Sequence, residues 1–359
     1  EETPEGRDEA GAQTARRKPE IRFLTGWILS SSETDALRAA GSRAGRALTA
    51  QLPKGRVAGS AHGGRAMGFD GRTLLVAAIL AGGAASADLV PSAALAADCG
   101  GPETPCETAL GSYHVAAPAG AAESGKRPAF IYFHGAGGNG RGVADADYAK
   151  ALTARGYVVA APNGLERPTS RFGPGWFFRP ESPGRRDELA FTRELIADLV
   201  DRHDVDPNRV ILTGYSIGGA LVWYLACADA ALAAAYTPYA GGFWRPHPTD
   251  CDGPVKLLHT HGWRDQTVPL EGRPLGGGRV YQGDIFEGLQ QWRLENGCTR
   301  LRADEFDTDG RYWRRSWTSC EPGTALELAL WPGGHVRPDG EWAEMAADWV
   351  ETVLPEETN

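Results

Sequence analysis

The sequence predicts an α/β protein, with a mostly parallel sheet covered by helices on both faces in a single catalytic domain. Two observations carry this. From about residue 108 onward, six short apolar runs recur that are nearly continuous rather than alternating, as expected for strands buried on both faces. Between them lie segments whose apolar residues repeat at helical spacing, and regular strand–helix alternation belongs to a parallel sheet.

In chain order, strands are expected at 129–133 (AFIYF), 157–161 (YVVAA), 209–214 (RVILTG), 233–238 (AAAYTP), 255–261 (VKLLHTH) and 325–331 (ALELALW). Helices are expected at 145–155, 187–203, 217–228, 283–296 and 340–353. In the second of these, Leu189, Phe191, Leu195, Ile196 and Leu199 fall largely on one stripe, and DPN at 206–208 turns the chain into the next strand. Glycine- and proline-rich stretches at 162–185 and 269–282 read as long loops over one sheet edge, where such folds keep their sites. There is no internal repeat.

The region before this pattern has a different composition. After Met67 come GFDGR, the apolar run TLLVAAILAGGAASA at 73–87 and small residues ending in ALA at 94–96. A positive flank, an apolar stretch too short to span a bilayer and an A-x-A site describe a secretory signal peptide over 67–96. The alternatives are a membrane anchor or a buried helix. Residues 1–66 carry a net charge of +3 and little periodicity, as expected of a non-functional or disordered leader ahead of a start at Met67. The working domain is then 97–359, secreted to the periplasm or the medium.

All six cysteines (Cys99, Cys106, Cys227, Cys251, Cys298 and Cys320) follow the expected cleavage site. An even number in an exported chain favours disulfides, and no CxxC spacing points to zinc. Sequence proximity suggests 99–106, 227–251 and 298–320 among the 15 pairings that six cysteines permit; buried free thiols are the alternative. The overall charge is −9, so residues 67–359 carry −12. Such acidity argues against nucleic acid as a partner. No basic amphipathic helix suggests membrane association. No obligate protein partner is evident.

The chemistry centres on RVILTGYSIGGALVWYLAC at 209–227. G-x-S-x-G alone is a weak signal in a chain with 47 glycines. Here, however, a strand precedes Ser216 and an apolar helix follows it. Gly214 and Gly218 leave room for a tight corner that would expose the hydroxyl above the sheet. A nucleophilic serine needs a base, and the base needs an orienting acid, in the α/β-hydrolase order Ser, Asp, His. Of the four later histidines, His335 in WPGGHVRPDG sits in a glycine-rich loop after the last strand. Asp265 in THGWRDQTVP is the sole carboxylate in the loop leaving the strand VKLLHTH, at its carboxyl end. FHGAGGNG at 133–140 can turn backbone amides toward an oxyanion, with Ala136 and Ile217 as the expected donors and Gly135 and Gly137 as alternatives. His134 is read as a brace for that loop. A phosphate-binding loop is disfavoured because no GK[ST] follows.

FIYFHGAGGNG, DELAFTRELIADLVDRHDVDPNRVILTGYSIGGA, HTHGWRDQTVP, WRLENGC and LALWPGGHVRPDG together resemble the secreted polyhydroxybutyrate depolymerases and the neighbouring feruloyl and acetylxylan esterases. That resemblance spans most of 108–355. It implies an α/β-hydrolase that cleaves carboxylic esters without a cofactor, with Ser216 as nucleophile, Asp265 as acid and His335 as base. Two positions depart from the family pattern: Arg337 stands where relatives commonly carry tryptophan, and Ala220 where methionine is frequent. Trp176, Trp263 and Arg337 are therefore the expected substrate-contacting rim. No linker to a second module is evident, so soluble 3-hydroxyalkanoate oligomers or small feruloyl and acetyl esters are expected as much as solid polyester. The rival from another class is a non-catalytic binding protein on the same fold, which would carry a broken triad.

Overall fold

The computed structural model describes residues 99–101, 103–120, 125–167, 172–179 and 185–354. The leader and signal-peptide expectations at 1–66 and 67–96 lie outside the described residues. Within 99–354 the chain forms, in order, β1 (Cys106–Glu107), β2 (Ser112–Ala116), β3 (Arg127–Phe133), α1 (Gly140–Ala144), α2 (Asp147–Ala154), β4 (Val158–Pro162), α3 (Glu188–His203) and β5 (Val205–Tyr215). It continues with α4 (Ile217–Ala228), β6 (Ala235–Tyr239), β7 (Trp244–Arg245), β8 (Lys256–Gly262), β9 (Pro274–Leu275), β10 (Val280–Gln282) and α5 (Ile285–Glu295). The last elements are β11 (Glu305–Asp307), β12 (Trp313–Trp317), β13 (Ala325–Trp331) and α6 (Gly340–Val353).

Ten strands form one sheet in the order β1-β2-β4-β3-β5-β6-β8-β13-β12-β11. The six inner strands from β4 to β13 pair in parallel. Alternation along each of them explains the continuous apolar runs. Ala129, Ile131 and Phe133 join a core cluster with α3, α4 and α5, whereas Phe130 and Tyr132 join a second cluster with α1, α2 and α6. Successive side chains point to opposite faces, and here both faces are roofed by helices. Three helices start on aspartate caps: Asp187 on α3, Asp284 on α5 and Asp339 on α6.

Three expectations change. The helix expected at 145–155 is α2, two residues later at its start, and a further short helix, α1, precedes it, begun where the Asn139 side chain caps the Gly142 amide. The DPN segment lies inside β5 rather than before it, next to a register shift in the β3–β5 pairing between Arg127 and Ala129. The sheet also gains antiparallel edges, β1–β2 on one side and β12–β11 on the other. Those strands are short or carry arginines on a solvated face, so they lack the apolar run that marks the centre.

Disulfides join Cys99 to Cys106, Cys227 to Cys251, and Cys298 to Cys320, with no free cysteine among the described residues. The second ties the end of α4 to the segment just before β8. Closing loops of this length stabilises a chain by about 3 kcal/mol in the chain-entropy account. No helix among the described residues is long and apolar enough to cross a membrane.

Candidate active site

β5 ends at Tyr215 and α4 begins at Ile217, so Ser216 alone makes the corner. Its backbone has φ 60° and ψ −118°, a conformation an L-residue adopts only when its surroundings impose it. Two hydrogen bonds impose it: the Ser216 amide donates to Tyr239 O (3.0 Å) and the Ala220 amide to Ser216 O (2.9 Å). Glycine is required beside it, because a Cβ on Gly218 would collide with the Phe133 carbonyl, and one on Gly214 would press on the Gly218 backbone.

The loops after β8 and β13 meet this corner. They are tied to each other by the Trp263 amide donating to Trp331 O and the Arg264 amide to Gly333 O, each 2.8 Å. His335 Nε2 lies 3.0 Å from Ser216 Oγ, and its Nδ1 lies 2.6 Å from Asp265 Oδ2. The imidazole rests against the Tyr215 ring, centroids 4.8 Å apart. Asp265 is held by amides from Thr267 and Val268, both 2.8 Å from Oδ1. Burial would raise its pKa, but hydrogen bonds from His261, His335 and the Val268 amide outweigh that and hold the carboxyl well below the usual range. The carboxylate is therefore ionised, and His335 Nδ1 must carry the proton that faces it, leaving Nε2 to accept from the serine hydroxyl.

The loop after β3 is braced from beneath. The Gly164 amide donates to His134 Nε2 (2.9 Å), so the ring's proton sits on Nδ1 and is donated to Gly135 O (2.7 Å). Burial pushes His134 down to about 4, which keeps the ring neutral. The Gly137 amide is spent on Pro174 O (2.9 Å), which removes Gly137 from the candidate oxyanion donors. Ala136 and Ile217 both line a cavity of about 190 Å³ that contains Ser216.

Trp176 is not a rim residue. It is 2% exposed, its indole donates to His134 O (2.7 Å), and it packs edge-on against Phe133. An aromatic in a glycine-rich loop read as a surface contact; in fact it is the wedge that seats the β3 loop. Trp263 is 55% exposed beside Asp265, and Arg337 lines an adjoining cavity with Tyr132, Tyr148 and Tyr215, which shares Ala136 with that of Ser216. Neither lines the Ser216 cavity. That cavity is walled instead by Arg167, Phe172, Trp244, Val268, Arg273 and Gln282 among others. Most of these come from the two glycine- and proline-rich stretches, which signalled the region but not the residues. The second stretch supplies β9 and β10, which join β7 in a three-stranded sheet that carries Arg273 and Gln282 to the cavity. Among the described residues no cluster of His, Cys, Asp and Glu could hold a metal ion.

A parallel sheet, a serine at a strained strand-to-helix corner and a histidine and aspartate in line behind it form one arrangement. The family described as Phospholipase/Carboxylesterase matches residues 117–274, which span β3 to the start of β9. The chain has the fold of an α/β-hydrolase. Its sequence is 29% identical over 219 residues to feruloyl esterase B of Piromyces equi, covering 56% of this chain and 38% of that protein. It is 31% identical over 148 residues to feruloyl esterase C of Emericella nidulans, covering 39% and 49%. The chain thus spans less than half the length of these two curated relatives. In structure it superposes on an acetyl xylan esterase from Aspergillus awamori with a TM-score of 0.50 at 16% identity, covering 68% of this chain and 94% of that one; this is a likeness of fold.

Proposed function

We propose that the protein is a serine carboxylesterase working through an acyl-enzyme. The observation that carries this is the unbroken line Ser216 Oγ, His335 Nε2, His335 Nδ1 and Asp265 Oδ2, with steps of 3.0 and 2.6 Å. Ser216 attacks the ester carbonyl while His335 takes its proton and then passes it to the departing alkoxide. Water enters by the same base to release the acid. Ionised Asp265 stabilises the transient imidazolium, and the amides of Ala136 and Ile217 receive the negative charge on the carbonyl oxygen. A non-catalytic role fits poorly with a serine held at φ 60°, since such strain is kept where it serves a site.

For substrate, the likeness to proteins named feruloyl esterases supports an ester of an aromatic acid, and the motif resemblance supports short 3-hydroxyalkanoate oligomers equally. The cavity beside Ser216 is small, and Phe172, Trp244, Ile217 and Val268 give it apolar walls suited to a compact acyl group. Three paired disulfides support a working place outside the reducing cytoplasm, in keeping with the secreted domain 97–359. A panel of methyl ferulate, 3-hydroxybutyrate oligomers, acetylated xylan and p-nitrophenyl acetate tests the reading. Ser216→Ala should abolish turnover of every substrate that wild type cleaves, and wild-type turnover of none of them would overturn it.

A further inference from the structure

Behind Asp265, buried side chains stand in a single hydrogen-bonded file. Trp223 Nε1 donates to His259 Nδ1 (3.2 Å), and His259 Nε2 lies 2.9 Å from His261 Nδ1. His261 Nε2 reaches the Val268 carbonyl oxygen at 2.8 Å and stands 3.4 Å from Asp265 Oδ2. Trp223, His259 and His261 are all fully buried.

The direction of this file is dictated from both ends. An indole N–H only donates, so His259 Nδ1 is an acceptor and the ring's proton is on Nε2. That proton makes His261 Nδ1 an acceptor in turn, leaving the His261 proton on Nε2. At the far end Nε2 faces a carbonyl oxygen and a carboxylate oxygen, which only accept. Reversing the file would strip His259 of both protons. Burial also holds the pKa of His259 well below its ordinary value, so the ring stays neutral. Strand geometry supplies the alignment: on β8 the two histidines are two residues apart and share a face, while Thr260 between them meets the Trp342 indole of α6 (3.3 Å).

We propose that His261, locked by Trp223 through His259 as the Nε2–H tautomer, is a positioning residue for Asp265. It grips the Val268 carbonyl of the same turn whose amides bind Asp265 Oδ1, and its N–H lies beside Oδ2. The carboxylate is thereby fixed on two sides with Oδ2 aimed at His335 Nδ1. Trp223 belongs to the helix that follows Ser216, so one buried file couples the nucleophile's helix to the acid's turn. This inference rests on the esterase reading above and names residues that act through Asp265 without touching substrate.

The test is a double-mutant cycle on p-nitrophenyl acetate, with a cooperative melt required of each variant. His261→Leu should lower kcat about 10–100-fold with KM within about twofold, since small misplacements of a catalytic group cost that much. His261→Gln, whose amide can donate from near the Nε2 position, should recover most of the loss. In an Asp265→Ala background His261→Leu should cost little more, because its effect passes through the missing carboxylate. If His261→Leu does not melt cooperatively, His261→Asn, too short to reach Val268, takes its place in the same cycle. Wild-type kcat in His261→Leu, or an equal loss with and without Asp265, overturns the proposal. An inactive Ser216→Ala beside a fully active His261→Leu would sink this inference alone, whereas an active Ser216→Ala would sink the esterase reading.

Discussion

Two cavities on this sheet differ in a way that volume conceals. The larger, about 650 Å³, lies along β11, β12 and β13 and is lined by Glu305, Arg314, Ser316, Glu321 and Glu327 among others. The smaller, about 190 Å³, holds Ser216. In the larger one the polar groups answer one another: Arg314 pairs with Glu327, and the Ser316 hydroxyl donates to the same carboxylate (2.9 Å). In the smaller one Arg273 also donates to Gln282 (3.2 Å), but the cavity holds Ser216 at a point of backbone strain beside His335, with Phe172, Trp244, Ile217 and Val268 as apolar wall. Polar groups that only answer one another serve packing; a strained nucleophile beside a base in an accessible cavity serves chemistry.

The contrast can be broken by substitution. Asp265→Asn should cost most, about 10⁴ in kcat, because the amide holds His335 in the wrong tautomer; steady-state kinetics with an activated ester reads it. Gly218→Ala should follow at about 10²-fold, since the Phe133 carbonyl bars a Cβ and the corner must shift. Its melting curve separates a moved nucleophile from a lost fold. In the larger cavity Glu327→Gln should do the opposite. It lowers stability by about 1–3 kcal/mol in urea unfolding and leaves kcat unchanged, because it only weakens hydrogen bonds to a charged group.

The pH dependence of stability carries a further signature. His134 titrates at about 4 in the folded chain against 6.5 for an ordinary histidine. As pH falls below 6.5 the unfolded chain gains a proton there that the folded chain refuses, so stability declines down to about 4. His134→Gln should flatten the slope of Tm against pH in that window. An unchanged slope would mean that the brace is not held neutral.

The parallel centre was legible because each inner strand is buried on both faces and announces itself as an apolar run, and because the segments between them carry apolar residues at helical spacing. That Ser216, Asp265 and His335 lie together was legible for a related reason. Each follows the carboxyl end of an inner strand, and the geometry brings those three ends within hydrogen-bond reach. What stayed hidden lies where burial is one-sided or where order comes from distant contacts. β12 reads WRRSW and lies next to the edge strand β11, so no periodic signal survives. Trp176 was misread because sequence cannot tell that its indole finds the His134 carbonyl rather than solvent. Arg273 and Gln282 reach the cavity only through a three-stranded sheet whose strands are two or three residues long, too short to show a pattern. The His259–His261 pair was visible as two histidines on a strand, but its direction needed the Trp223 indole.

The central claim is that Ser216 is the nucleophile. The most direct measurement is labelling of the intact protein with a fluorophosphonate, followed by intact mass and peptide mapping. One adduct per chain should form, on the peptide containing Ser216, with loss of esterase activity in step and no adduct on Ser216→Ala. A stoichiometric adduct elsewhere, or ester turnover that survives in Ser216→Ala, would contradict it.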